Sequence, residues 1–161
     1  MFERILVPLD GSKVAEAALP VAEELVTKLK PIQTVEVTLV QVVTSLTHWV
    51  VAGEAGAPVP YTEHEIDAIR KEAHAYLEKV AEGLKAKGAN VNTRVSVGNA
   101  AQQIIKASEE IPATLIVMST HGRTGLGRWA FGSVTERVLR AGSLPVLLVR
   151  SPRNKMKTSV P

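Results

Sequence analysis

LIVMSTHGRTGLGRWAFGSV, residues Leu115 to Val134, begins as an unbroken apolar run and turns glycine-rich and basic. The run Leu115-Ile116-Val117-Met118 reads as a strand covered on both faces. The segment then closes on Gly132-Ser133, at the start of a predicted helix. A strand, a small-residue loop and a helix N-terminus in that order make an anion cradle. Glycines let backbone N–H groups come close, and the helix dipole favours negative charge. Ser133 and Thr135 add hydroxyl donors, and Arg123 and Arg128 add positive charge. The pattern points to a phosphate, carried by a nucleotide.

The flanking sequence places this cradle in a larger pattern. Arg4 to Leu9 (RILVPL) reads as a first buried strand. Asp10-Gly11-Ser12 is a turn, with Ser12 as cap of the helix that follows. That helix is expected over about Lys13 to Leu29, kinked at Pro20. Val35 to Val43 is a second strand. Thr44 to Tyr61 shows no clear period and reads as a flap or excursion. Thr62-x-x-Glu65 is a capping box that opens a long helix to about Lys87, with Gly88 as its C-terminal stop. Asn90 to Val97 is a third strand, and Asn99 caps the next helix. Thr114 to Ser119 is the fourth strand. Ser133 to Arg140 is the last helix, ended by Gly142. Leu144 to Val149 is the fifth strand, and Pro145 early in it suggests a sheet edge. Strands alternating with helices predict an α/β fold, a doubly wound five-stranded parallel sheet with helices on both faces.

Composition narrows the function. The chain has 161 residues, 45% hydrophobic and 4% aromatic. It is long enough for one domain whose core rests on aliphatic side chains. With no cysteine, disulfide frameworks, cysteine-ligated metals and thiol catalysis are excluded. No secretory signal and no apolar stretch of membrane-spanning length are visible, so a soluble, cytoplasmic protein is expected. The formal charge of +3 comes from Arg150, Arg153, Lys155 and Lys157, without which 15 basic residues face 16 acidic ones. Residues 1–150 are therefore read as one domain and 151–161 as a basic, flexible tail. No specific nucleic-acid partner and no membrane partner are expected.

In such sheets ligands bind beyond the C-terminal strand ends, where the winding direction reverses. With strand order 3-2-1-4-5, that point lies between the first and fourth strands. The loops Pro8-Leu9-Asp10-Gly11 and Thr120 to Phe131 meet there, an acid facing a phosphate cradle. Asp10 suits ribose hydroxyls or a divalent cation, and equally suits a turn. No Walker-type P-loop is present. Gly125-x-Gly127-x-x-Ala130 matches a dinucleotide fingerprint, but it follows the wrong strand, and no acid stands about 20 residues on. His121 is the only histidine in the cradle, and such a residue more often holds a loop than catalyses. His48, His64 and His74 lack metal-ligand spacing. Trp49 and Trp129 could cover a base, though filling an apolar gap is the more common use.

The segments Thr120-His121-Gly122-Arg123-Thr124-Gly125 and Gly132-Ser133-Val134-Thr135-Glu136-Arg137-Val138-Leu139, with the opening Ile5-Leu6-Val7-Pro8-Leu9-Asp10-Gly11-Ser12 and the ending Pro145 to Val149, resemble the universal stress protein family over about residues 1 to 150. The nucleotide-binding branch of that family is marked by Gly-x-x-Gly, nine residues, then Gly-Ser or Gly-Thr. Gly122, Arg123 to Phe131 and Gly132-Ser133 match, whereas Ser119 stands where the first glycine would. The resemblance implies a Rossmann-like, adenine nucleotide alpha hydrolase-like fold that binds ATP, ADP or AMP. It implies Asp10 on the ribose, the backbone near Val42 on adenine, and Gly122, Gly132, Ser133 and Val134 on phosphates, and it allows Mg²⁺ beside them. Pro8, Ser119, His121, Arg123 and Thr135 complete the expected site. It also implies a homodimer through the last strand, Val146 to Val149, consistent with an exposed edge that needs a partner or a cover.

Three functions are then weighed. The first is a nucleotide-binding stress-response regulator or sensor with slow or no ATP hydrolysis, since no residue stands out as base, nucleophile or metal cluster. The second is an ATP pyrophosphatase or nucleotidyl transferase, which would need a longer, glycine-richer loop than Asp10-Gly11-Ser12-Lys13. The third is a nucleotide-independent dimeric interaction module of the same family, favoured by Ser119. No catalytic residue is assigned.

Overall fold

The computed structural model describes residues 2–44, 47–52, 55–120 and 132–151, the backbone alone at 47–52 and 55–56. The elements are β1 (Arg4–Leu9), α1 (Lys13–Glu16), α2 (Leu19–Leu29), β2 (Glu36–Val43), β3 (Thr47–Ala52), β4 (Ala55–Pro60), α3 (Glu63–Ala86), β5 (Asn90–Val97), α4 (Ala100–Glu110), β6 (Leu115–Thr120), α5 (Ser133–Ala141) and β7 (Val146–Arg150). Five strands form one parallel sheet in the order β5-β2-β1-β6-β7. β3 and β4 form a separate antiparallel hairpin, so without them the sheet reads 3-2-1-4-5.

Strand alternation splits the core in two. Ile5, Val7, Leu9, Val37, Leu39 and Val117 face α2 and α3, which bury Ala22, Val26, Leu77, Ala81 and Leu84 against them. Leu6, Val40, Ile116 and Met118 face α4 and α5, which contribute Ala101, Ile104, Ala107 and Val138. Coverage on both faces explains why the central strands read as apolar runs. At the β7 edge Leu147 stays 38% exposed.

Local side-chain chemistry sets the helix ends. The Ser12 hydroxyl accepts from the Ala15 N–H, and the Asn99 side chain accepts from the Gln102 N–H. Thr62 and Glu65 form the reciprocal capping box. After α3, Gly88 donates to the Lys85 carbonyl and Ala89 to the Leu84 carbonyl, a Schellman motif. Gly88 adopts φ of 92° there.

Two expectations are corrected. The helix over Lys13 to Leu29 is broken, not kinked. Ala17 and Ala18 close short turns onto the Val14 and Ala15 carbonyls, and Pro20 occupies the first turn of α2. A proline lacks its own N–H and clashes with the carbonyl four residues back, but fits a first turn. The Thr44 to Tyr61 excursion holds a β-hairpin, where no strand period was legible. The tail at 152–161 lies outside the described residues.

Two long-range bonds hold the short helix α1 in place. The Ser119 hydroxyl donates to the Val14 carbonyl. The Tyr76 hydroxyl of α3 donates to Glu16 Oε1 at 3.2 Å. Burial first, then the Glu16 carboxylate and more weakly that of Asp10, raise the Tyr76 pKa well above the ordinary phenol value.

Two outcomes test this packing. Alanine at Gly88 must keep a left-handed backbone, so Gly88→Ala should cost about 1–2 kcal/mol. That reads as a lower urea midpoint at unchanged slope; an unmoved midpoint contradicts the motif. The raised Tyr76 pKa means that its stabilisation is intact below the unfolded-state value of about 10 and drains away as pH climbs past it. Urea midpoints at about pH 8 and about pH 11 should fall further in wild type than in Tyr76→Phe. An equal fall in both proteins contradicts the buried phenol.

Candidate functional site

The site begins where two neighbouring strands part. β1 pairs with β2 along its whole length, Arg4 to Leu9. It pairs with β6 only at Ile5↔Leu115 and Leu6↔Ile116. Just before that ladder the strands are stitched together. Thr114 donates its N–H to the Arg4 carbonyl, and its hydroxyl bonds both Arg4 backbone groups. Beyond Leu6 and Ile116 no pairing joins β1 to β6, and a cavity of about 490 Å³ opens there. This is where helices switch faces of the sheet, the expected ligand position in such folds.

Three strand ends and the starts of helices line the cavity. Pro8, Leu9, Asp10 and Ser12 come from the end of β1 and its turn. Gln41, Val42 and Thr44 come from the end of β2, and Met118, Ser119 and Thr120 from the end of β6. Gly132, Ser133, Val134 and Thr135, the first turn of α5, close the far side. Eight of the residues expected from the sequence thus meet in one hollow: Pro8, Asp10, Val42, Ser119, Gly132, Ser133, Val134 and Thr135. His121, Gly122 and Arg123 lie outside the described residues, as do Arg128 and Trp129. A second hollow of about 480 Å³ adjoins the first through Thr44, Ala100, Ser133 and Val134 and is bordered by Arg137.

The start of α5 differs chemically from those of α1, α3 and α4. Each of those is capped by a side-chain oxygen. α5 starts on Gly132, which has no side chain to cap it. The N–H groups of the first turn have no acceptor within the helix, and the dipole adds positive potential. A Cβ at Gly132 would meet no atom of the described residues within 4 Å.

On the opposite wall, Gly11 at φ of 80° turns the chain sharply after β1. Asp10 Oδ1 accepts from the Ser12 N–H at 2.9 Å, which fixes the carboxylate at the rim and leaves Oδ2 for other donors. The turn role and the ligand role weighed for Asp10 are therefore compatible.

Ser119 makes a further bond that its sequence position does not reveal. Its hydroxyl is committed to the Val14 carbonyl, on the α1 side of the sheet. It braces the cavity wall, and only its backbone remains to face a ligand. The lining residues that were not among the expected site residues include Thr120 and Gln41. Thr120 Oγ1 and Gln41 Oε1 are buried without a hydrogen-bond partner among the described residues. Buried polar atoms are nearly always paired, so these two call for a partner from outside the described residues, a ligand or a water. Strand alternation could have found Thr120, since it shares a face with Ile116 and Met118.

Among the described residues no three of His, Cys, Asp and Glu gather as a metal site. No described helix is long and apolar enough to cross a membrane.

Comparison with known proteins agrees with this fold. The universal stress protein family model matches residues 1–150. Universal stress protein MJ0531 of Methanocaldococcus jannaschii is 30% identical, with 96% of this chain and 86% of that protein covered. The solved structure of MJ0577, from the same organism, superposes with a TM-score of 0.69 at 29% identity, covering 96% of this chain and 99% of that one. A universal stress protein in complex with cAMP gives a TM-score of 0.66 over 94% of this chain and 98% of its own, and at 18% identity shows likeness of fold alone. From its sequence match along residues 1–150, the chain belongs to the universal stress protein family.

Proposed function

We propose that this chain binds an adenine nucleotide, ATP, ADP or AMP, in the cavity between the ends of β1 and β6, and acts as a stress-response regulator or sensor. The observation that carries this reading is the hollow itself. It joins a rim carboxylate, Asp10, to a helix start without a side-chain cap, Gly132 to Thr135. A carboxylate suits ribose hydroxyls, and free N–H groups at a helix N-terminus suit phosphates. The backbone at Val42, at the β2 end of the same hollow, is the proposed adenine reader. His121, Gly122 and Arg123 would complete the phosphate side. Mg²⁺, if it accompanies the nucleotide, would be held by phosphate oxygens, with Asp10 the nearest carboxylate of the cavity wall.

Any ATP hydrolysis is slow on this reading, since the described cavity lining offers Asp10 as its sole ionisable side chain. The uncovered β7 edge, with Leu147 exposed, suits pairing with a second copy through Val146 to Val149. A cytoplasmic setting fits the absence of cysteine. The domain is taken as residues 1–150, with 151–161 as an appended tail. The alternative, a nucleotide-independent dimeric module, has Ser119 in its favour, because a side chain stands where the family motif has glycine.

Gly132→Asp tests the site. No atom of the described residues lies within 4 Å of a Cβ there, φ is an ordinary −50°, and aspartate is a good N-cap. The variant should unfold at the same temperature as wild type or slightly higher. Its carboxylate would occupy the phosphate position, so calorimetric titration with ATP should show binding lost. Unchanged affinity in the folded variant would move the ligand away from α5. Sedimentation of wild type should give a dimer, weakened by Leu147→Lys on the β7 edge; a monomer at micromolar concentration would overturn the edge pairing.

A further inference from the structure

We propose that Thr120 is a ligand-binding residue of this cavity, its side-chain hydroxyl donating to an anionic phosphate oxygen seated at the N-terminus of α5. The proposal rests on the nucleotide reading above and adds to it a contact that the family motif leaves unspecified. Thr120 is the last residue of β6 and 6% exposed. Its Oγ1 has no hydrogen-bond partner among the described residues, yet the residue lines the cavity. A buried hydroxyl left unpaired destabilises the fold that contains it, and that cost is recovered when a partner arrives.

The contrast with its neighbour sharpens the assignment. Ser119 and Thr120 are adjacent hydroxyls on one strand, and alternation sends them to opposite faces. Ser119 reaches the Val14 carbonyl on the α1 side and is satisfied. Thr120 falls on the face of Ile116 and Met118, which packs against α4 and α5. On that face the cavity wall continues into Gly132, Ser133, Val134 and Thr135. Thr120 and the uncapped first turn of α5 therefore line the same cavity, with the Thr120 hydroxyl buried in its wall. Both are hydrogen-bond donors, and a phosphate offers oxygens to each, whereas a base or a ribose would serve the helix N–H groups less well.

The test compares wild type, Thr120→Val and Thr120→Ser in two measurements. One is calorimetric titration with ATP and with adenosine. The other is thermal unfolding without ligand. Valine replaces the hydroxyl with a methyl of similar size, so ligand-free Thr120→Val should melt at the wild-type temperature or above it. Its affinity for ATP should fall about tenfold or more, the usual effect of removing a hydrogen bond to a charged group. Its affinity for adenosine should hold, and Thr120→Ser should bind ATP as wild type does. A Thr120→Val protein that binds ATP as tightly as wild type overturns the proposal and leaves the nucleotide reading standing. A ligand-free Thr120→Val protein that melts several degrees lower also overturns it, since the hydroxyl would then have a partner within the fold. If wild type itself binds neither ATP nor adenosine, the nucleotide reading fails and this contact fails with it.

Discussion

The short ladder between β1 and β6 is the constraint on which the rest of the site depends. Thr114 zips these strands at one end, and pairing stops after Leu6 and Ile116. Had it continued to Leu9 and Thr120, the two strand ends would have closed on each other. Instead each strand stays in the sheet through its outer neighbour, β1 on β2 and β6 on β7. The crevice is thus held open by pairing on its flanks. It needs no strained backbone, and it brings the chemistry of Asp10 and of α5 into one space.

Around that crevice, polar groups divide between holding the wall and facing the hollow. Ser12 caps α1, Ser119 ties α1 to β6, and Tyr76 anchors α1 from α3. A four-residue helix has little stability of its own, because its first turn costs more order than one hydrogen bond returns. These three side chains supply what its length cannot. Thr120 Oγ1, Gln41 Oε1 and the first turn of α5 belong to the other group, the two oxygens without a hydrogen-bond partner and the helix without a side-chain cap among the described residues. A site whose donors are already positioned loses less entropy when it binds, the usual advantage of preorganisation.

Much of this was legible in the sequence because the signals are local. RILVPL and LIVMST read as strands since both faces of the central sheet are covered. Ser12, Thr62, Gly88 and Asn99 act through bonds to residues at most a few positions away, so their roles follow from spacing alone. The break between α1 and α2 was less legible, because an apolar stripe runs on through a proline that the structure uses as a start signal. The β3–β4 hairpin is not legible because its pairing belongs to two segments together, and one of them, AGAPVP, has Val59 as its single strand-forming side chain between alanines, glycine and prolines. The bond from the Ser119 hydroxyl depends on where α1 lies in space, 105 residues away along the chain. Thr120 lies within the motif segment without a site role of its own, although its face on β6 can be counted from Ile116.

The central claim is that the open end of the β1–β6 pair is an adenine-nucleotide site. Its most direct test is to denature the purified protein, separate what it releases by chromatography, and titrate the stripped, refolded chain with ATP, ADP and AMP in the presence of Mg²⁺. The account predicts an adenine nucleotide, either released or bound with saturable heat at one site per chain. No released nucleotide and no binding at millimolar ligand would contradict it, and would leave the crevice as a structural gap in an interaction module.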